Sequence, residues 1–109
     1  MSGVYVIRPK ADRDLDEQAY YLANQANPEV GHRFLLAAHE TFGLLAANPE
    51  MGWHPRLEHP ELTSLRVFRI TGFEKMLVFY HPHPRGVEIL RVVHASRNLR
   101  ALLRREGME

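Results

Sequence analysis

The sequence predicts an α+β domain in which an N-terminal strand and a helical hairpin pack on a small, mainly antiparallel β-sheet, closed by a short C-terminal helix. Three observations lead there. The 109 residues suffice for one hydrophobic core and not for two, so residues 1–109 read as a single domain. The first half carries two apolar stripes of helical period, set off by Asn-Pro pairs. The second half carries three apolar runs of strand length joined by short polar connections, which makes neighbouring strands antiparallel.

Val4-Tyr5-Val6-Ile7 is β-branched and aromatic, and Pro9 stops it as a strand. Leu15, Ala19, Leu22, Ala23 and Ala26 then line one face of a first helix, and Asp12, Asp14, Asp16 and Glu17 crowd its first turns, where the helix dipole favours them. Asn27-Pro28 ends this helix and starts the next, with Asn27 as N-cap and Pro28 at the first helical position. Val30, Phe34, Ala37, Ala38, Thr41, Leu44 and Leu45 form the second stripe, which Asn48-Pro49 closes. Residues 51–64, punctuated by Gly52, Pro55 and Pro60, read as a loop.

Strands follow at Leu65–Ile70, Lys75–His81 and Gly86–His94, separated by Thr71–Glu74 and Pro82–Arg85. On the middle strand Met76, Val78 and Tyr80 oppose Leu77 and Phe79; on the last, Val87, Ile89 and Val93 oppose Leu90 and Val92. Both sheet faces are therefore apolar, and one hairpin covers only one of them. The second face needs the chain's own loop and tail, or another molecule, to cover it. Asn98 to Arg105, with Leu99, Leu102 and Leu103 on one side, reads as the C-terminal helix.

Composition bounds the chemistry. Hydrophobic residues are 45% and charged residues 25%, an ordinary globular balance. There is no cysteine, which excludes disulfides, thiolate nucleophiles and Cys-based metal sites. No run approaches the ~18 apolar residues of a membrane span, and MSGVYVIRPK has no signal-peptide core, so a soluble cytoplasmic domain without membrane contact is expected. The net charge of +1 hides an asymmetry: residues 1–60 hold five Lys/Arg against eight Asp/Glu, and residues 61–109 nine against five. Eight of the nine later cations are arginine, suited to forked contacts with carboxylate or phosphate. Either the back half meets an anionic partner or the halves neutralise each other within the fold.

Arg66, Arg69, Arg91 and Arg97 lie in or beside the strands. Each wants a phosphate, a partner carboxylate, or an internal bridge to Glu61, Glu74 or Glu88. His81-Pro82-His83 invites a metal reading, but it has no Asp or Glu at ligand spacing, and no metal or cofactor is expected. His94, between Arg91 and Arg97 and with Tyr80 on the neighbouring strand, could supply the proton donor and acceptor of a phosphodiester-cleaving group. The bland reading is a strand-end histidine bonded to backbone. No P-loop, GxGxxG, nucleophile elbow or HExxH is present.

Four stretches in this order resemble the ParE/RelE superfamily of toxins from type II toxin–antitoxin pairs, and within it the ParE branch. They are Ala11–Leu15 with Tyr20-Tyr21, Leu45–Gly52, Leu65–Ile70 with Leu77–Tyr80, and Val87–Asn98. The resemblance implies a helical hairpin on a small sheet. It also implies a ParD-like antitoxin whose acidic, amphipathic C-terminal segment docks on the toxin, so that Arg66, Arg69, Arg91 and Arg97 become antitoxin- or target-binding residues. ParE-like members inhibit DNA gyrase without catalysis of their own, whereas RelE-like members are ribosome-dependent mRNA endoribonucleases. In the latter reading Arg66, Tyr80, Arg91 and His94 would be catalytic. The chain continues past His94 as ParE does, has no Tyr after Tyr80, and holds only two lysines. The expectation is therefore a bacterial, cytoplasmic gyrase inhibitor with no sequence-specific DNA binding of its own; the alternatives are the endoribonuclease and an inactive toxin-fold binding module. Arg8 stands where a capping Ser is usual, which leaves Asp12 as the alternative cap or a frayed helix start.

Overall fold

A computed structural model describes residues 3–55 and 64–97. Its elements run β1 (Val4–Ile7), α1 (Pro9–Gln25), α2 (Pro28–Ala47), β2 (Arg66–Ile70), β3 (Phe73–His83) and β4 (Gly86–His94). The four strands form one sheet in the order β1-β4-β3-β2, with β1 parallel to β4 and the other pairs antiparallel. This is the α+β architecture expected. The C-terminal helix expected over 98–105 lies outside the described residues.

Pro9 opens α1 with its φ pre-set for a helix and no N–H to leave orphaned, so Arg8 serves as N-cap without a side-chain bond. Asp12 is not the cap; it sits in the first turn, where the dipole stabilises it. Asn27 caps α2 as expected, its side chain accepting from the Val30 N–H at 3.0 Å. The two helices cross closely at Gly31, where a Cβ would stand 2.5 Å from the Ala19 carbonyl oxygen.

The hairpin packs on one sheet face. Phe34, Ala38, Phe42 and Leu45 of α2, with Ala11 and Leu15 of α1, bury against Ile70, Met76, Val78, Tyr80, Val87, Ile89 and Val92. Two differences from the periodicity reading appear on α2: Leu44 is 44% exposed, and Phe42 is fully buried, edge-on to Tyr5 at 5.6 Å. On α1, Ala26 is exposed at the helix end.

The opposite face carries a second buried cluster: Leu65, Val67, Leu77, Phe79, Leu90 and Val93. No helix among the described residues lies on that face, yet these six side chains are buried within the single chain. The alternation expected on β4 fails at one point. A bulge shifts the β3–β4 register between Phe79/Tyr80, so that Phe79 pairs with Arg91 and Tyr80 with Ile89, leaving Leu90 extra. Downstream of the bulge Val92 joins the helix-side core and Val93 the opposite cluster, the reverse of strict alternation.

The connections are tighter than the sequence suggests. Ile70 pairs with Phe73 and His83 with Gly86, so each hairpin turns over two residues, the first with Gly72 at φ 87°. Pro82 belongs to β3, in the stretch beyond the end of β2 pairing at Tyr80, where that edge of β3 is open and a proline is tolerated.

Candidate functional site

Of the six residues singled out by sequence, the structure distributes four, Arg66, Tyr80, Arg91 and His94, to three places. The first is the end of the sheet where β2 begins. Arg66 and Tyr80 are register partners there, and both are turned onto the loop that leaves α2. The Tyr80 hydroxyl donates to the Pro49 carbonyl at 2.8 Å and accepts from the Gly52 N–H at 2.9 Å. Arg66 Nη1 donates to the carbonyls of Glu50 at 3.1 Å and Gly52 at 2.7 Å. Burial pushes the Tyr80 hydroxyl above its ordinary range, against the lowering effect of the Gly52 N–H and Arg66. It therefore stays a neutral donor across physiological pH. Gly52 admits no larger residue: a Cβ would lie 2.6 Å from both the Tyr80 hydroxyl and the Val67 carbonyl.

The second place is the α1–β4 contact. Arg91 Nε and Nη2 donate to the two carboxylate oxygens of Asp14 at 2.7 and 2.9 Å, and Asp14 also accepts from the Val92 N–H at 2.9 Å. Asp14 thus takes this guanidinium rather than Glu74 or Glu88, while Glu61, also suggested by the sequence, lies outside the described residues. Both side chains are about nine-tenths covered. Hydrogen bonding to Asp14 outweighs desolvation and raises the Arg91 pKa, so the guanidinium is a permanent buried cation. Glu74 instead accepts from the Gly72 N–H within its own turn.

His94 occupies the third place. Met76 is its register partner, four residues along β3 from Tyr80, or about 13 Å at the rise of a strand. Its Nδ1 accepts from the Ser96 N–H at 3.1 Å and faces the Ser96 hydroxyl at 2.8 Å. It lines an open pocket of about 630 Å³ with Gln18, Tyr21, Phe73, Lys75 and Met76. Arg66, Tyr80, Arg91 and His94 are therefore not gathered around one point. Each of the first three has its polar head bound to the protein itself.

Arg69 and Arg97 remain. Both are exposed. Arg69 lies over the ring of Trp53 at 5.0 Å, and Arg97 follows the turn after β4, its N–H donating to the His94 carbonyl. Trp53 had no expected role. It forms a two-bond bridge to Val67, extending the sheet by one residue beyond β2.

Two ion pairs join the halves in opposite senses, Arg91 of the basic half to Asp14 and Arg8 of the acidic half to Glu88, so together they leave the charge asymmetry between the halves unchanged. Arg8 and His81 both bond the Glu88 carboxylate, at 2.9 and 2.5 Å, and together hold it down to about 2. The hairpin thus supplies His81 with a carboxylate that local spacing did not reveal. No helix among the described residues is long and apolar enough to cross a membrane.

Comparison with known proteins places the fold. No curated protein matches the chain in sequence. Among solved structures it is similar to one from the chromosomal ParDE toxin–antitoxin system of P. aeruginosa, with a TM-score of 0.66 and 18% identity over 84% of this chain and 95% of that one. At that identity the likeness is one of fold. The family model of the ParE toxin of the type II toxin–antitoxin system parDE matches residues 5–99, from within β1 to beyond the end of β4. The chain belongs to the ParE toxin family of type II toxin–antitoxin systems.

Proposed function

We propose that this chain acts in the bacterial cytoplasm by inhibiting DNA gyrase, without catalysis of its own, and that a cognate ParD-like antitoxin neutralises it. The ParE family match over residues 5–99 carries this reading. The distribution of polar groups supports it. A ribonuclease needs a donor, an acceptor and cations converging on one phosphate. Here Arg66 and Tyr80 hold a loop, Arg91 is committed to Asp14, and His94 stands about 13 Å along the strand from Tyr80. The exposed arginines Arg69 and Arg97 are assigned to antitoxin or target contact, and Arg66 and Arg91 to shaping the surface that makes it.

The test is induced expression of the chain alone, with DNA and protein synthesis followed separately by pulse labelling, alongside gyrase supercoiling and cleavage-complex assays on purified protein. Early loss of DNA synthesis and a supercoiling defect are expected. Early loss of protein synthesis with mRNA cut on ribosomes would transfer the function to the His94 pocket and end the gyrase reading.

A further inference from the structure

The sheet has two edges, and they are built differently. At the β2 edge Trp53 bonds both backbone groups of Val67, and Arg66 and Arg69 put charge along the strand. Covered backbone and charge are guards against edge-to-edge pairing. The β1 edge has neither: Val4–Ile7 holds no charge and no proline, and its register with β4 runs without a bulge. The Val4 and Arg8 N–H groups donate inward, to the Arg85 and Ile89 carbonyls at 2.8 and 3.0 Å. With a period of two, the N–H and C=O groups of Tyr5 and Ile7 therefore turn outward, and no strand among the described residues meets them. The strand is held firmly in place, since the Tyr5 hydroxyl shares a hydrogen bond with His39 Nδ1 at 3.0 Å and its ring packs edge-on to Phe42. Val4 and Val6 face away from the helices, 50% and 45% exposed.

We infer that β1 pairs with β1 of a second copy of this chain, antiparallel about a two-fold axis through Val6, joining the two sheets into one. The geometry selects that occupant. In this register Tyr5 stands opposite Ile7 of the second copy, and both are outward-facing, so each such pair exchanges two backbone bonds and the two-fold axis doubles them. Axes through Tyr5 or Ile7 would leave the other residue without a partner inside the strand. Val6 meets Val6 of the second copy in a non-hydrogen-bonded pair, where Cα atoms approach to about 4.5 Å, so the exposed valines bury against their own copies. Arg8 falls opposite Val4, and its guanidinium is drawn inward to Glu88 at 2.9 Å, so no charge stands opposite a like charge. A charged segment is the poorer fit, because residues 4–7 offer no charge to meet it. So short a contact lies far below the size of a standard interface, and the dimer is weak, with a Kd on the order of 10–100 μM.

Sedimentation velocity of the purified chain between about 1 μM and about 0.5 mM should show monomer passing to dimer. Val6→Lys sets two like charges at the axis and should weaken dimerisation about 30-fold or more, as should Val6→Glu, while Val6→Thr should stay within about threefold of wild type. An equimolar mixture of Val6→Lys and Val6→Glu should recover dimer to within about threefold of wild type, because an axis through this position sets the two side chains face to face. The Val6 side chain is exposed, so these variants should fold; thermal unfolding checks it. Hydrogen exchange read by NMR needs no variant. On concentrating wild type, the Tyr5 and Ile7 amides should gain about fivefold protection, while the Val4 amide, bonded to Arg85, is protected throughout. A chain still monomeric at the top concentration, a dimer that Val6→Lys leaves unchanged, a mixture that does not recombine, or Tyr5 and Ile7 amides indifferent to concentration would overturn the assignment. So would protection of those amides by antitoxin or gyrase and not by a second copy.

Discussion

Tyr80→Phe removes one oxygen from a side chain that is 0% exposed, and two backbone groups lose their partner with it. The Gly52 N–H is buried and donates to the Tyr80 hydroxyl; orphaning such a donor costs about 1–2 kcal/mol. The Pro49 carbonyl is half-buried and can turn to water, so its loss is nearer ~0.5–1 kcal/mol. Arg66 still holds the carbonyls of Glu50 and Gly52, which keeps the loop attached and caps the damage. The sum is about 2 kcal/mol, which for a domain of this size lowers Tm by about 10 °C. Urea denaturation followed by Trp53 emission measures both this loss and any loosening of the loop in the folded state. A change below about 0.5 kcal/mol would refute the claim that the hydroxyl secures the loop. The same variant separates structure from chemistry. Where it is folded, Tyr80→Phe should still arrest growth; abolished toxicity at unchanged stability would make the hydroxyl a reacting group.

Two further predictions concern the ion pairs. Asp14→Ala takes from Arg91 the carboxylate that its Nε and Nη2 bond and leaves the Val92 N–H without this acceptor, and should destabilise by about 3 kcal/mol, with much of that regained in Asp14→Ala/Arg91→Leu, as a double-mutant cycle in urea would show. Glu88 is held down to about 2 in the folded chain by Arg8 and His81, so the stability it contributes is present above its unfolded pKa and is lost as pH falls towards 2. Its carboxylate is 22% exposed and Arg8 51% exposed, which limits the contribution to under about 1 kcal/mol. Glu88→Gln should flatten the acid limb of the stability–pH curve between about pH 5 and 2, costing up to about 1 kcal/mol at pH 7 and little at pH 2.

The parts of the fold legible in sequence are those governed by local rules. Asn27-Pro28 is a cap followed by a first-turn proline, and it behaves as one. Gly86–His94 is a strand with the bounds its apolar run gives. Thr71-Gly72 shows how local rules can mislead in degree: glycine marks the turn, but the ladder runs on to Phe73 because Gly72 alone supplies the positive φ that a two-residue connection needs. The bulge on β4 leaves no such mark. Nothing in Ile89-Leu90-Arg91-Val92 breaks the alternation; what breaks it is tertiary, since Asp14 binds both the Arg91 side chain and the Val92 N–H. One carboxylate from α1 thus fixes the irregularity in β4 that sends Val92 to one face and Val93 to the other.

The same reasoning explains why the candidate residues were found while their roles were not. Arginines and a tyrosine in strands are conspicuous in sequence, yet their heads are spent on partners at long separation: Arg91 on Asp14, Tyr80 on Pro49, Arg66 on Glu50 and Gly52. Periodicity gives the face of a strand and says nothing of which carbonyl waits there. Trp53 escaped for the opposite reason. It sits in a Gly- and Pro-marked stretch that reads as loop, and only the bridge to Val67 and the stacked Arg69 turn it into an ordered edge of the sheet. The sole usable signal was its type, a lone tryptophan among polar and turn residues, where burial in a core has no neighbours to offer and exposure of an indole calls for a partner. Tyr80 and Arg66 hold from beneath the backbone that leads into Trp53, so polar groups that suggest chemistry in the sequence serve instead to order a stretch that reads as loop.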